Sequence, residues 1–196
     1  MSEVVGRKVQ LVSVSHEHPR RVEDKREQGM VGFADGFPLT VASTESLALV
    51  NQKLQEYGHD SIKLTRARST LTLDGLILPE EIQAPADAFP EDYVAAIKNG
   101  DIILERAKAC GRCPVPNIDE LSGRQNGSPV TKVLGALGRS GWHNDRDRYD
   151  TNRHLFWTQN FTVKIPVRMG SDTVIKISKN TPISIEYSAV TNWHHR

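Results

Sequence analysis

FTVKIPVRMGSDTVIKISKNTPISIEY, residues 161–187, decides the fold class of this chain. Its apolar residues fall in three short runs, 161–165, 173–177 and 183–187, rich in valine and isoleucine and separated by Pro, Gly, Ser and Asn. Short β-branched runs bounded by turn residues read as strands, because a branched side chain packs well on a pleated surface. Working outward, residues 156–161 (FWTQNF) lead into these closing strands, and residues 70–78 (TLTLDGLIL) and 8–15 (KVQLVSVS) alternate with period two, the mark of a half-buried strand. Residues 101–107 (DIILERA) predict a further strand, with the two cysteines at its end. Helices are few. Leu39 to Ala42 reads as a short strand that ends at Ser43, and a helix follows with Ser43 or Thr44 as its cap, Leu47, Val50 and Leu54 on one face, and Gly58 as its stop. A second, short helix is expected over 129–137. Many strands, few helices and closely spaced turns predict a mainly β (α+β) fold, a barrel or partly closed sheet rather than an alternating α/β domain.

A length of 196 residues suits one domain over 1–196, with residues 16–28, dense in charge and lacking an apolar face, as a mobile loop and 188–196 as a tail. With 25 Lys+Arg against 24 Asp+Glu, net charge supplies no steering toward nucleic acid or an anionic membrane. The arginines and aromatics of 139–157 are the one local candidate for gripping a nucleic acid, and Asp145, Asp147 and Asp150 offset their charge. No apolar run approaches the roughly 18 residues that span a bilayer, and the opening MSEVVG lacks a signal-peptide pattern, so a cytoplasmic location is expected.

The chemistry-bearing segment is AKACGRCPVPNIDELSG, residues 107–123. Lys108 and Arg112 lie beside the thiols, and cationic neighbours favour thiolate over thiol, which suits a nucleophile or a soft-metal ligand. Cys113 is therefore the leading candidate, against the alternative that both cysteines are small buried hydrophobes. A thioredoxin-like dithiol needs a helix after the motif, which Pro116 opposes. Structural zinc needs about two more ligands; a second Cys pair is lacking, His143 and His154 are too far apart to form a knuckle, and His194-His195 at the terminus reads as solvated tail.

Three blocks in order resemble the molybdenum cofactor sulfurase C-terminal (MOSC) family, in particular the branch of the mitochondrial amidoxime-reducing component and its bacterial relatives. The first is residues 33–43 (FADGFPLTVAS) with Glu45, Ser46, Leu47 and Asn51, similar to the family's F-x-D-x-x-P-x-x-x-x-S segment. The second is residues 66–75 (RARSTLTLDG), standing where the family has Arg-Phe-Arg-Pro-Asn, with Phe, Pro and Asn replaced here. The third joins Glu91-Asp92, Asn99-Gly100-Asp101, Cys110 to Cys113, Asp119, Gly123 and Pro129. The resemblance covers about 31–185.

What the resemblance implies is a MOSC-like β-barrel and a molybdenum-pterin cofactor, with Cys113 as molybdenum ligand and catalytic or sulfur-carrying thiol, Arg68 and Arg112 on the cofactor's anionic part, and Asp35 lining the site. The donor chemistry agrees: thiolate suits molybdenum and a guanidinium fork suits phosphate. Read as residues alone, Asp35 is equally an Asx-turn before Gly36, and Arg68 a solvated residue of the basic stretch Lys63, Arg66, Arg68. The activity implied is sulfur transfer or reduction of N-hydroxylated small molecules, with a small-molecule substrate and an electron-transfer partner. The alternative is a non-catalytic barrel that binds a protein partner, expected if the altered second block and the roughly thirty residues before the first block leave the cofactor cradle incomplete.

Overall fold

The structure is a computed structural model that describes residues 20–21, 30–31, 36–125, 127–143, 154–164, 182–189 and 193–195. The expected strands at 8–15 and 173–177 and the site candidate Asp35 lie outside the described residues. Strands β1 (Arg20–Arg21) and β2 (Met30–Val31) form an antiparallel pair, so part of the expected 16–28 loop is a strand. The absence of an apolar face hid it, since ladder pairing is a backbone property.

The rest of the described strands make one curled, half-barrel sheet. They are β3 (Leu39–Ser43), β4 (Leu71–Leu73), β5 (Val94–Asn99), β6 (Ile102–Gly111), β7 (Ser140–His143), β8 (His154–Lys164), β9 (Ser184–Tyr187) and β10 (Trp193–His195). Two helices, α1 (Thr44–Glu56) and α2 (Pro129–Ala136), complete the elements. The mainly β expectation holds. Strand β8 is the spine: β6 runs antiparallel along one edge, while β3 and β7 share the other. Strand β5 joins β6 through a two-residue turn in which Gly100 takes φ 56°, and β9 closes onto β5.

Three local differences from the sequence reading have physical causes. Residues 70–78 form only the short β4, which lies parallel to β3, so β3, α1 and β4 make one β-α-β unit inside the β fold. Leu71, Leu73 and Leu76 pack in one core cluster although the run beyond Leu73 does not pair as a strand. Strand β5 was hidden by its composition, VAAIKN, since alanine is a poor strand former. Strand β6 extends to Gly111, which places Cys110 inside the strand and only Cys113 beyond it.

Helix α1 forms as its caps dictate. The Ser43 hydroxyl accepts from the Ser46 amide at 3.0 Å. At the other end the Gly58 and His59 amides reach the Gln55 and Leu54 carbonyls, both at 2.9 Å, with Gly58 at φ 73°, a left-handed stop.

Two apolar clusters flank the sheet. Ala42, Val50, Leu54, Phe89, Val133, Leu134 and Trp157 pack under the helices, whereas Val41, Leu73, Val94, Ile97, Leu104 and Phe161 pack together in the second cluster. Val41 and Ala42 go opposite ways because successive strand residues face opposite sides. Trp157 and Phe161 are an even number of residues apart and ought to share a face. They do not, because Thr158 takes φ 90° where the β6–β8 register shifts, and one inserted residue flips everything beyond it.

Candidate functional site

Two polar regions compete for attention. The first lies beneath β8 and is closed to solvent. Arg139 is 3% exposed and Asp92 2% exposed. The Arg139 guanidinium grips Asp92 with two nitrogens, donates to the Phe156 carbonyl at 3.1 Å, and stacks 4.0 Å over the Phe89 ring. Gln159 donates to Asp92 at 2.6 Å, and Arg106 donates to the Asp92 main-chain carbonyl. Next to it, Glu91 accepts from Ser43 at 2.6 Å, and Trp157 donates its ring N–H to Ser46 at 3.2 Å. Full burial, with the neighbouring Asp92 charge adding to it, pushes the Glu91 carboxyl up to about 7, against the pull of the Ser43 and Ser46 hydrogen bonds. This region is a structural keystone. With Arg139 and Trp157 buried in it, two members of the arginine and aromatic set considered for nucleic acid are withdrawn from the surface.

The second region is open. Cys113 is exposed just past β6, and its thiol is free. Pro114 follows it and starts a 3-10 turn, Val115–Asn117, that pins the loop. Buried Asn117 does the pinning: its amide donates to the Pro114 carbonyl at 3.1 Å, while its oxygen accepts from the Val130 and Thr131 amides at 2.9 and 3.2 Å. Asn117 thus caps α2 from twelve residues before the helix starts, in place of Ser128, whose side chain makes no capping bond.

Arg68 also faces solvent. It ends the 3-10 turn Leu64–Ala67 in left-handed backbone, φ 53°, with its carbonyl held by the Thr40 hydroxyl at 3.2 Å. Its guanidinium makes no bond to any described residue. Arg66, two residues earlier in the same basic stretch, behaves differently: it pairs with Asp119 at 2.9 Å and Glu120 at 2.5 Å. Hydrogen bonds from the Ser122 amide and hydroxyl lower the Asp119 carboxyl, with the Arg66 charge adding to them. Of the two arginines that the second block offered, Arg66 is engaged with carboxylates and Arg68 is not bonded through its side chain to any described residue.

Arg112 is half-buried and joins these pieces. Its amide donates to the Leu155 carbonyl at 2.7 Å, its guanidinium donates to the Ala67 carbonyl at 2.6 Å, and a second nitrogen of the same group reaches the Cys110 sulfur. The Arg112 guanidinium thus links the segment that carries Cys113 to the turn that ends in Arg68. Lys108, read from the sequence as a neighbour of the thiols, lies 5.1 Å over the Phe37 ring.

The family model for the MOSC domain matches residues 28–153, well over half of the chain. The chain belongs to the MOSC domain family. A curated relative, mitochondrial amidoxime-reducing component 1 from Homo sapiens, is 28% identical over 112 residues, covering 55% of this chain. The match spans 29% of that protein's length. The three ordered blocks that carried the resemblance fall within the matched residues. Among the described residues no helix is long and apolar enough to cross a membrane.

Sequence reasoning passed over Asn117 and Thr158, and read Arg139 as a surface cation rather than a buried one. Arg139 carried a signal in retrospect, as the cation nearest the Gly138 helix stop, but its acidic partner lies 47 residues away.

Proposed function

We propose that this MOSC domain binds a molybdenum-pterin cofactor through Cys113 and Arg68, with Asp35 as a further contact and Arg112 holding the two segments together. The observation that carries the reading is the pairing of a free, exposed thiol with an unengaged guanidinium on two loops that Arg112 ties together. The donor set fits such a group better than a bare ion. No three His, Cys, Asp or Glu residues cluster among the described residues to cage a metal, and a molybdenum held by its own pterin sulfurs needs one protein thiolate.

When bound, the cofactor supplies two-electron or sulfur-transfer chemistry. The chain's own part is to present Cys113 as the soft ligand or sulfur carrier, to bind phosphate with the Arg68 fork, and to hold both on backbone fixed by Asn117 and Thr40. A small N-hydroxylated molecule as substrate, with electrons from a partner protein, is the activity we assign by relation to the amidoxime-reducing component.

The test is metal analysis of the chain purified from a host that makes the cofactor. Molybdenum and pterin fluorescence in the wild type, lost in Cys113→Ser and reduced in Arg68→Ala, support the reading. Equal molybdenum in wild type and Cys113→Ser, or none in either, defeats it.

A further inference from the structure

The Cys110–Cys113 segment sits between the two non-glycine residues of positive φ found among the described residues, Arg68 at 53° and Thr158 at 90°. Left-handed backbone at a β-branched residue is an outlier, and such strain persists only where surrounding structure over-determines it. Thr158 is fully buried, its hydroxyl has no partner among the described residues, and the register places it across from Cys110, between the pairs Ala109–Gln159 and Gly111–Phe156. On the other side, the turn that ends in Arg68 hands its Ala67 carbonyl to Arg112. One residue thus links three pieces: the Arg112 amide holds the bulged strand β8 at the Leu155 carbonyl, while its guanidinium reaches the Cys110 sulfur on β6 and the Ala67 carbonyl of the Arg68 turn.

We propose that Arg112 is a positioning residue, a clamp that fixes the spacing between the Cys113 thiol and the Arg68 guanidinium, rather than an anion ligand itself. Its planar fork is what the task needs: separate N–H groups of one rigid group reach the Ala67 carbonyl and the Cys110 sulfur together. A lysine has one ammonium on a flexible stem and does not hold both. Cys110 becomes, in this arrangement, a soft acceptor for the clamp instead of a second reactive thiol. The proposal rests on the reading of Cys113 and Arg68 as the site, and its test separates the two.

Amide hydrogen exchange by NMR on the full chain, for wild type, Arg112→Met and Arg112→Lys, follows three amides: Arg68, residue 112, and Leu137 as a distant control bonded to Val133. In Arg112→Met the Arg68 and residue-112 amides exchange about tenfold faster together, while Leu137 keeps its rate. Arg112→Lys recovers only part of that protection. Alkylation of Cys113 by iodoacetamide changes by about threefold or more in Arg112→Met and moves back toward wild type in Arg112→Lys.

An Arg68 amide that keeps its wild-type rate overturns the clamp. So does equal acceleration of all three amides, which marks general loss of stability, and so does an unchanged Cys113 rate. If Arg112→Met does not fold, Arg112→Lys is judged by the same criteria. Should Cys113→Ser hold as much molybdenum as wild type while the amides remain coupled, the cofactor reading fails and the clamp stands. The reverse result fails the clamp alone.

Discussion

Arg139 and Arg68 are arginines of one chain in opposite situations. The first is sealed under β8 against Asp92, Phe89 and the Phe156 carbonyl, with Gln159 sharing its carboxylate. The second stands on a left-handed turn with its backbone held and its guanidinium facing solvent. The difference teaches where a charge must be paired to serve the fold and where it can stand in solvent unpaired. A buried charge without partners is too costly to retain, so the Asp92 carboxylate of the closed region is met by Arg139 and Gln159 together. An exposed charge carries no such cost, so the Arg68 guanidinium stands in solvent with no bond to a described residue.

The contrast can be broken most forcefully at the buried arginine. Arg139→Met leaves the Asp92 carboxylate uncompensated in the interior and is expected to destabilise by roughly 3–5 kcal/mol, read as a lower midpoint in urea. Arg68→Ala is expected to stay within about 0.5 kcal/mol of wild type. Equal losses in the two variants would erase the distinction between the regions.

Glu91 sharpens it through pH. Its carboxyl is raised in the folded chain to about 7 and returns to the ordinary value of 4.5 on unfolding, so the native state binds the proton more tightly. Stability from this group is complete below about 4.5, falls as pH climbs, and is gone above about 7, a change on the order of 3 kcal/mol. Urea titrations from pH 5 to 8 should show that slope in wild type and a flatter one in Glu91→Gln. A wild-type stability that rises over this range would contradict the buried, protonated acid.

Asn117 tests the link between the open region and the fold. Asn117→Ala removes the remote cap of α2 and the Pro114 anchor, costing about 1–2 kcal/mol and speeding proteolysis in the loop after Cys113. A small effect of opposite sign is expected at the bulge, where Thr158→Gly relieves left-handed strain and removes a hydroxyl that has no partner among the described residues while adding chain entropy, for a net gain of up to about 1 kcal/mol in thermal stability. A large loss there would mean that the Thr158 side chain, not its backbone, is what the core requires.

Much of the first block turned out to be architecture. Ser43 caps α1 and bonds Glu91, Ser46 receives Trp157, Glu45 accepts from the Gly75 and Leu76 amides, and Asn51 holds the Ile62 backbone from both sides. The sequence pattern that marks the family is therefore partly a record of how α1 is fastened to the sheet. Cys113 was legible because its chemistry is local: a thiol after a strand, followed by proline. Arg66 and Arg68 were not separable by eye, since both are arginines of one basic run. Their roles part only through Asp119 and Glu120, more than fifty residues on.

Residue chemistry and short-range periodicity alone determined the mainly β character, the α1 helix with its Ser43 and Gly58 ends, the short α2 helix, and Cys113 as the residue to watch. These depend on interactions within a few residues, which a sequence displays directly. Tertiary structure alone decided that Arg139 is buried, that Arg112 reaches Ala67, that Asn117 caps a helix from a distance, and that Thr158 flips the faces of β8. Each of those depends on a partner brought near by sheet pairing across tens of residues, or on a single backbone angle that the packed core imposes, and neither is written in local composition.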